Sequence, residues 1–499
     1  MINELAQQIA QQLSLDPGVW SVWITIALRF TLVATVFTGG ISVLAMFAIW
    51  WERKVAGHMQ SRLGPMHVGG WHGWAQSIAD GAKLLMKEDL IPSGADGFLF
   101  RLAPYLAFAP VFAAFLALPF GPQWVFEAGL NIGVLYLLAV LSVEVMGVIL
   151  AGWGSNSKWA IYGAMREACQ MVSYEIPLGI SIICGVLVAG TLQLLELSYL
   201  QGGGITSWFV FHNPFIFIAF LLYFIASLAS NKRAPFDLPE SESELVAGFH
   251  TEYSGMRFSF FFFAEYAGIF VVGAIQASLF LGGWNSPLGS YDPVYAAIGY
   301  NPIEAGQLYF SGALAGAQGW SETAGVLGLS SSGLIALNAY CMTWFVTKAM
   351  AVLFVQIWLR WTLPRIRIDQ VLHVCVKVLL PCSLVVLVGT AVWIAVVPQP
   401  AGVVLGSVGA PGHVVMRLGH LVSPTPTLQW ITQIVLLIVA LGVLAYFASA
   451  VLMAFHRRER NPRKTLFDDV MPVSRDISFT RGAPGAVEIP PAPDAAASQ

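Results

Sequence analysis

A chain of 499 residues with a net charge of −3 lacks the basic excess that a nucleic-acid partner demands. Hydrophobic residues make up 57% of it and charged residues only 11%, and the apolar residues fall in long runs. Such runs exclude an ordinary soluble multidomain protein, and their lack of ~10-residue alternation excludes a transmembrane barrel.

Backbone groups in lipid must bond within their own segment, so the expected fold is an all-α polytopic membrane protein. The N-terminal stretch, MINELAQQIAQQLSL, is polar and acidic, unlike a cleaved signal, and residues 1–21 read as an outer-side segment. Runs of about 18 or more apolar residues are long enough to cross a hydrocarbon core of about 30 Å. They predict nine transmembrane helices, near 22–50, 100–118, 130–152, 168–190, 212–230, 259–281, 334–359, 376–398 and 428–455.

With the N-terminus outside, and Lys377 at the edge of its span counted with them, the inner segments collect all of the 25 Lys and Arg except Arg29, Lys348 and Arg417. That partition follows the positive-inside rule. The inner segment 51–101 contains GGWHGWAQSIADGAKLLMKEDLIP, whose Trp74, Ile78, Leu84 and Leu85 among polar neighbours predict an amphipathic helix at the interface. The outer segment 283–330, rich in Gly, Ser and Ala, reads as irregular. The resulting division is a membrane core over 22–400 with inner loops 51–101 and 231–258, an outer loop and extra span over 401–455, and an inner-side tail over 456–499, basic and then disordered. No internal repeat of the secondary-transporter kind is visible.

Cys169, Cys184, Cys341, Cys375 and Cys382 form no CxxC pair, so no zinc or iron–sulfur spacing is present. His58, His67 and His72 lie near one another without a metal-ligand spacing, and there is no GxSxG, HExxH or P-loop. The chemistry-bearing residues are instead the ionisable groups inside spans: Glu144, Glu175, Glu265 and Lys348. Counted from the inner ends of their helices, the three carboxyls sit at one depth, about 12–14 Å in. The pattern points to a buried polar path for protons; the alternative is three carboxyls hydrogen-bonded separately for structure. Arg29 is placed to snorkel to the outer surface.

Between spans five and six lies APFDLPESESELVAGFHTEYSGMRF, with Asp237, Glu240, Glu242, Glu244 and Glu252. Ser241 and Glu244 have capping-box spacing, with Asp237 and Glu240 as a competing register, so some of these acids are candidates for helix caps.

This stretch and five others (WERKVAGHMQSRLGPMHVG, IADGAKLLMKED, LAGWGSNSKWA, QMVSYEIPL and LRWTLPRIRIDQVL) resemble, in order over about residues 20–400, the H subunit of NADH–quinone oxidoreductase, respiratory complex I. The resemblance implies an eight-helix family core, with the ninth span as a C-terminal extra. It implies a proton-translocating enzyme in which this chain carries no redox centre and no metal: FMN and iron–sulfur clusters belong to partner subunits, and quinone is the substrate. By resemblance, Glu52, Arg53, Gln60 and Arg62, with the turn at Gly64 and Pro65, adjoin the quinone cavity together with Asp237, Glu240, Glu242 and Glu244. Glu144, Glu175 and Glu265 match a chain of buried carboxyls that serves as a proton path, to which Glu240, Glu242 and Lys348 are added as candidates. Asp80, Lys83, Lys87, Glu88 and Asp89, with Glu252, Tyr253 and Arg257, are expected to dock the peripheral arm. The expected partners are the peripheral quinone-site subunits, small membrane-arm subunits and membrane lipid, in a bacterial energy-transducing membrane with the C-terminal tail in the cytoplasm. The alternatives are the equivalent anchor of a membrane-bound hydrogenase or other-donor quinone reductase, a stand-alone ion transporter, and a purely structural anchor.

Overall fold

A computed structural model describes residues 38–125, 130–211, 213–239, 242–314 and 320–396, with scattered positions over 22–35 and 431–442. The chain divides into units Met1–Leu437 and Ile438–Gln499, and the fold below is that of the first. The ninth span, the tail, the segment 1–21 and Arg29 lie outside the described residues or nearly so.

Among the described residues every regular element is helical. The long helices are α1 (Thr38–Met59), α3 (Gly97–Phe115), α4 (Gly133–Gly154), α5 (Lys158–Ala189), α7 (Pro214–Ser230), α9 (Gly255–Phe280), α13 (Ser331–Thr362) and α15 (Leu380–Val396). Between them lie α2 (Gln76–Met86), α6 (Leu194–Leu200), α8 (Glu242–Leu245), α10 (Pro293–Ile298), α11 (Pro302–Phe310), α12 (Trp320–Val326) and α14 (Ile368–Val374). Among the described residues six stretches are long and apolar enough to cross a membrane: α3, α4, α5, α9, α13 and Ile368–Ile394, which joins α14 to α15 through a π-helical turn at Cys375–Leu379. The protein is thus an all-helical, multi-pass membrane protein.

Local chemistry sets several helix ends. Asp96 caps α3, its Oδ1 accepting from the Phe98 and Leu99 amides at 3.0 and 3.2 Å. Asn213 caps α7 in the same way, with Pro214 in the first turn where its missing N–H costs nothing. Gly190, at φ 70°, closes α5 in the left-handed conformation that ends many helices.

Helix α9 is the hub, packing against α3, α13, α1, α2 and α7. Small residues bring helices close. A Cβ on Gly273 would lie 3.0 Å from the Ala349 carbonyl oxygen of α13, and one on Gly147 of α4 would lie 2.5 Å from the Ala107 amide nitrogen of α3. At the end of this core next to the segment 231–258, Phe100 stacks on Tyr253 at 4.1 Å, and Phe249 and Phe261 pack beside them.

Two features differ from the expectations. The outer segment 283–330 is not wholly irregular: Asp292 and Asn301 cap α10 and α11, each followed by proline at the first helical position, and α12 follows. Helix α5 also starts at Lys158, ten residues before the expected span, so the polar residues ahead of 168 belong to a helix face.

Candidate functional site

Successive residues on a helix point about 100° apart, and in the C-terminal half of α1 this separates Glu52 from Arg53. Glu52 turns into the bundle and is 4% exposed. Arg53 turns outward and pairs with Asp80 of α2. Lys54 donates to the Pro65 carbonyl at 2.5 Å, which folds the following turn back against α1. Gly64, at φ 66°, makes that fold possible: a Cβ on Gly57 would meet the Gly64 amide nitrogen at 2.8 Å. Gln60 and Arg62 lie exposed on the turn, the Arg62 Nε donating to the Gln60 Oε1 at 2.7 Å.

The centre of the site comes from a short segment after α7. Arg233 Nη1 donates to both Glu52 oxygens, at 2.9 and 2.8 Å, and its Nε lies 3.0 Å from Glu265 of α9. Its guanidinium lies 4.5 Å from the centre of the Tyr266 ring. Arg360 of α13 donates to Glu52 Oε1 at 2.7 Å. One step back, Lys232 Nζ lies 2.7 Å from Glu167 of α5 and 3.2 Å from Glu144 of α4. Burial alone would push the Lys232 ammonium down, but Glu167 and Glu144 outweigh it and hold it above the ordinary lysine value. Four helices, α1, α4, α5 and α9, therefore meet through two neighbouring cations, and Arg360 joins α13 to them at Glu52.

Around this centre the acids divide. Asp237 accepts from Arg365 at 2.9 Å, and no helix starts at it, since α8 begins at Glu242. Glu244 pairs with Arg166 of α5 at 2.6 Å, and that contact holds its carboxyl below the usual range. Glu240, Ser241 and the side chain of Glu242 lie outside the described residues. Glu175 accepts from Ser142 of α4, deeper in the bundle. His250 stands beside Lys232; enclosure first, and the ammonium second, push it down to about 4.

Three small cavities run inward from the loop side. The first, of about 10 Å³, is lined by Glu144, Lys232, Glu265, His250 and phenylalanines. The second, of about 20 Å³, shares Glu144, Lys232 and Glu265 and adds Ser230, Asn231 and Met171. The third, of about 30 Å³, shares Ser230 and Met171 and reaches Ser142 and Glu175. A water needs about 10–15 Å³ and two to four polar partners, so each has room for a water or nearly so.

Lys348 lies elsewhere. Its ammonium donates to the carbonyls of Leu281, Gly283 and Asn285 at 2.7, 3.0 and 2.5 Å, beyond the far end of α9, and sits 4.4 Å from the Trp208 ring centre. Sixteen helical residues separate Glu265 from Leu281, about 24 Å at the helical rise. The residues expected to dock a partner are split. Lys83 is exposed in the last turn of α2, Lys87, Glu88 and Asp89 are exposed just after it, and Glu252 is half-buried. Arg257 is drawn to Asp89 at 3.0 Å, and Tyr253 is buried, its hydroxyl donating to the Phe100 carbonyl at 3.2 Å.

Four central residues were not among the expected ones: Glu167, Lys232, Arg233 and Arg360. Glu167 did carry a signal. Gly163, Glu167, Gln170 and Tyr174 recur at helical spacing as small or polar residues in an apolar stretch, and all four are buried. The three cations count, from sequence, only as markers of the inner side.

Among the described residues no group of three His, Cys, Asp or Glu is placed to hold a metal ion. The NADH dehydrogenase family model matches residues 31–391. The H subunit of NADH-quinone oxidoreductase from Chlorobium luteolum is 46% identical over 354 residues, covering 70% of this chain and 85% of the relative. Those of Anaeromyxobacter dehalogenans and Geobacillus thermodenitrificans are 41% and 42% identical, covering 78% and 74% of this chain and 87% and 97% of their own lengths. With most of its length matched and its membrane helices in place, the chain belongs to the NADH dehydrogenase family, as an H-type membrane subunit of NADH-quinone oxidoreductase.

Proposed function

We propose that this subunit completes the quinone cavity, starts the first proton path into the membrane and docks the peripheral redox arm. The observation that carries the reading is the join at Lys232 and Arg233. Arg233 links Glu52, next to the turn where quinone is expected, to Glu265 within the bundle, and Lys232 links Glu144 beside it. A change of charge near Glu52 or the acidic loop is thereby felt at once by buried carboxyls, in surroundings that screen charge poorly. Quinone reduction consumes protons and alters local charge. The coupled set of Glu52, Glu265 and Glu144 responds by moving protons inward, toward Glu175. Arg53, Gln60 and Arg62 flank the cavity, with Asp237, Glu240, Glu242 and Glu244 as its acidic wall. The exposed run Lys83, Lys87, Glu88 and Asp89, with Asp80 and Glu252, faces the peripheral arm. Partner subunits hold the FMN and iron–sulfur clusters, the N-terminus is outside and the tail is cytoplasmic.

The test is Glu→Gln at Glu240, Glu242 and Glu265, one at a time, in the assembled complex reconstituted into vesicles. The expected result is quinone turnover or proton pumping reduced several-fold or more in at least one variant. Normal turnover with normal pumping in all three sinks the proposal.

A further inference from the structure

Lys232 is positioned unlike the other cations of the site. It lines both the first and the second cavity, as Glu144 does, whereas Glu167 lines neither. Glu167 is fully buried and holds the ammonium at 2.7 Å; Glu144 holds it more loosely, at 3.2 Å. One carboxylate is therefore a fixed anchor, and the other is open to the cavities on both sides. The charged and titratable groups around the ammonium are Glu144 from α4, Glu167 from α5, Glu265 from α9, His250 from the turn before α9, and Arg233 next in the chain.

We infer that Lys232 is a positioning residue that gates the carboxyl path: its ammonium, anchored on Glu167, must let go of Glu144 for a proton to pass from the first cavity to the second. The inference rests on the reading of Glu144 as part of a proton path. The steps balance without any further reactant. A proton from the first cavity binds Glu144 and removes its charge. The ammonium keeps its own proton and settles on Glu167. Glu144 then gives its proton to the second cavity, regains its charge and recaptures the ammonium. Passage thus requires that Glu144 be neutral, and the Lys232 contact at 3.2 Å favours its charged form.

Two substitutions pull this balance in opposite directions. Lys232→Gln leaves two buried carboxylates with no cation between them, and they cannot both stay charged. Glu167→Gln leaves the ammonium to Glu144 alone and tightens that pair. The experiment uses the whole complex in vesicles, recording NADH–quinone turnover and protons pumped per electron from pH 6 to pH 9. The midpoint of the pumping profile should move up by one pH unit or more in Lys232→Gln and down in Glu167→Gln. Lys232→Arg, which keeps the cation, should restore the wild-type midpoint. A merely structural lysine gives unshifted midpoints, or shifts of one sign in both variants, and either result overturns the inference. If Lys232→Gln does not assemble, the downward shift in Glu167→Gln and the restoration in Lys232→Arg decide it. Glu144→Gln is measured alongside. Normal pumping there removes the path itself, whereas lost pumping there with unshifted profiles in the other variants removes only the gate.

Discussion

Glu52 and Arg53 are neighbours in sequence, but their substitution should differ greatly in effect. Glu52 accepts from Arg233, itself 2% exposed, and from Arg360. Glu52→Gln keeps the shape but leaves a buried guanidinium with Glu265 as its one remaining carboxylate in that cluster. Removing one partner of a buried pair costs about 3–5 kcal/mol. The Arg53–Asp80 pair has side chains 42% and 32% exposed, and such surface pairs contribute about 0–1 kcal/mol. Buried cysteines supply the assay: Cys184, Cys341 and Cys375 are enclosed, while Cys169 and Cys382 are exposed. In the detergent-solubilised complex, thiol labelling of the three buried cysteines, read by mass spectrometry, follows the open population when opening and closing are fast. At about 1.4 kcal/mol per tenfold, Glu52→Gln should speed that labelling by roughly 100-fold to 4,000-fold, with Cys169 and Cys382 unchanged. Asp80→Asn should change it by roughly fivefold or less. Equal effects from the two substitutions would refute the claim that the buried join at Arg233 holds the inner end of the bundle together.

Three further outcomes follow from described contacts. His250 is held down to about 4 in the folded chain, whereas an unfolded histidine titrates near 6.5. Between those values the unfolded state binds the extra proton, so stability is fully present above about pH 6.5 and falls by about 3 kcal/mol as pH drops to about 4; thermal denaturation across that window should show the loss, and His250→Gln should flatten it. Gly147→Ala would place a Cβ 2.5 Å from the Ala107 amide nitrogen, forcing α3 and α4 apart at about 1–3 kcal/mol, visible as faster labelling of the buried thiols. Lys348→Met would strip a donor from three carbonyls beyond α9 and destabilise by about 2–3 kcal/mol, with protons pumped per electron unchanged.

Six of the expected spans were legible because lipid demands long apolar runs, and Glu144, Glu175 and Glu265 were legible because a carboxyl in such a run stands out. Their partners were harder to see. Arg233 meets Glu52 across 181 positions, and Arg360 meets the same residue across 308; no local pattern encodes a pair so far apart. The positive-inside rule also worked against recognition, since it explains every inner-side cation as a topology marker and leaves none to be paired. Glu167 was hidden by a boundary: hydropathy starts the fourth span at 168, whereas the helix begins ten residues earlier, at Lys158. The outer helices were written in plain code, since Asp292–Pro293 and Asn301–Pro302 are cap-and-first-turn pairs, but the surrounding glycines and serines obscured them.

The distance between Glu52 and Arg360 also has a meaning for biosynthesis. At about 5–20 residues per second, the 308 positions between them take roughly 15–60 s to synthesise. For that interval the first helix stands in or beside the bilayer with a carboxylate that has not met its last cation, and Arg233 arrives only part-way through. Until the seventh long helix is made, Glu52 of the nascent chain therefore lacks that partner. Truncated chains released before Arg360 should be degraded faster than those released just after it.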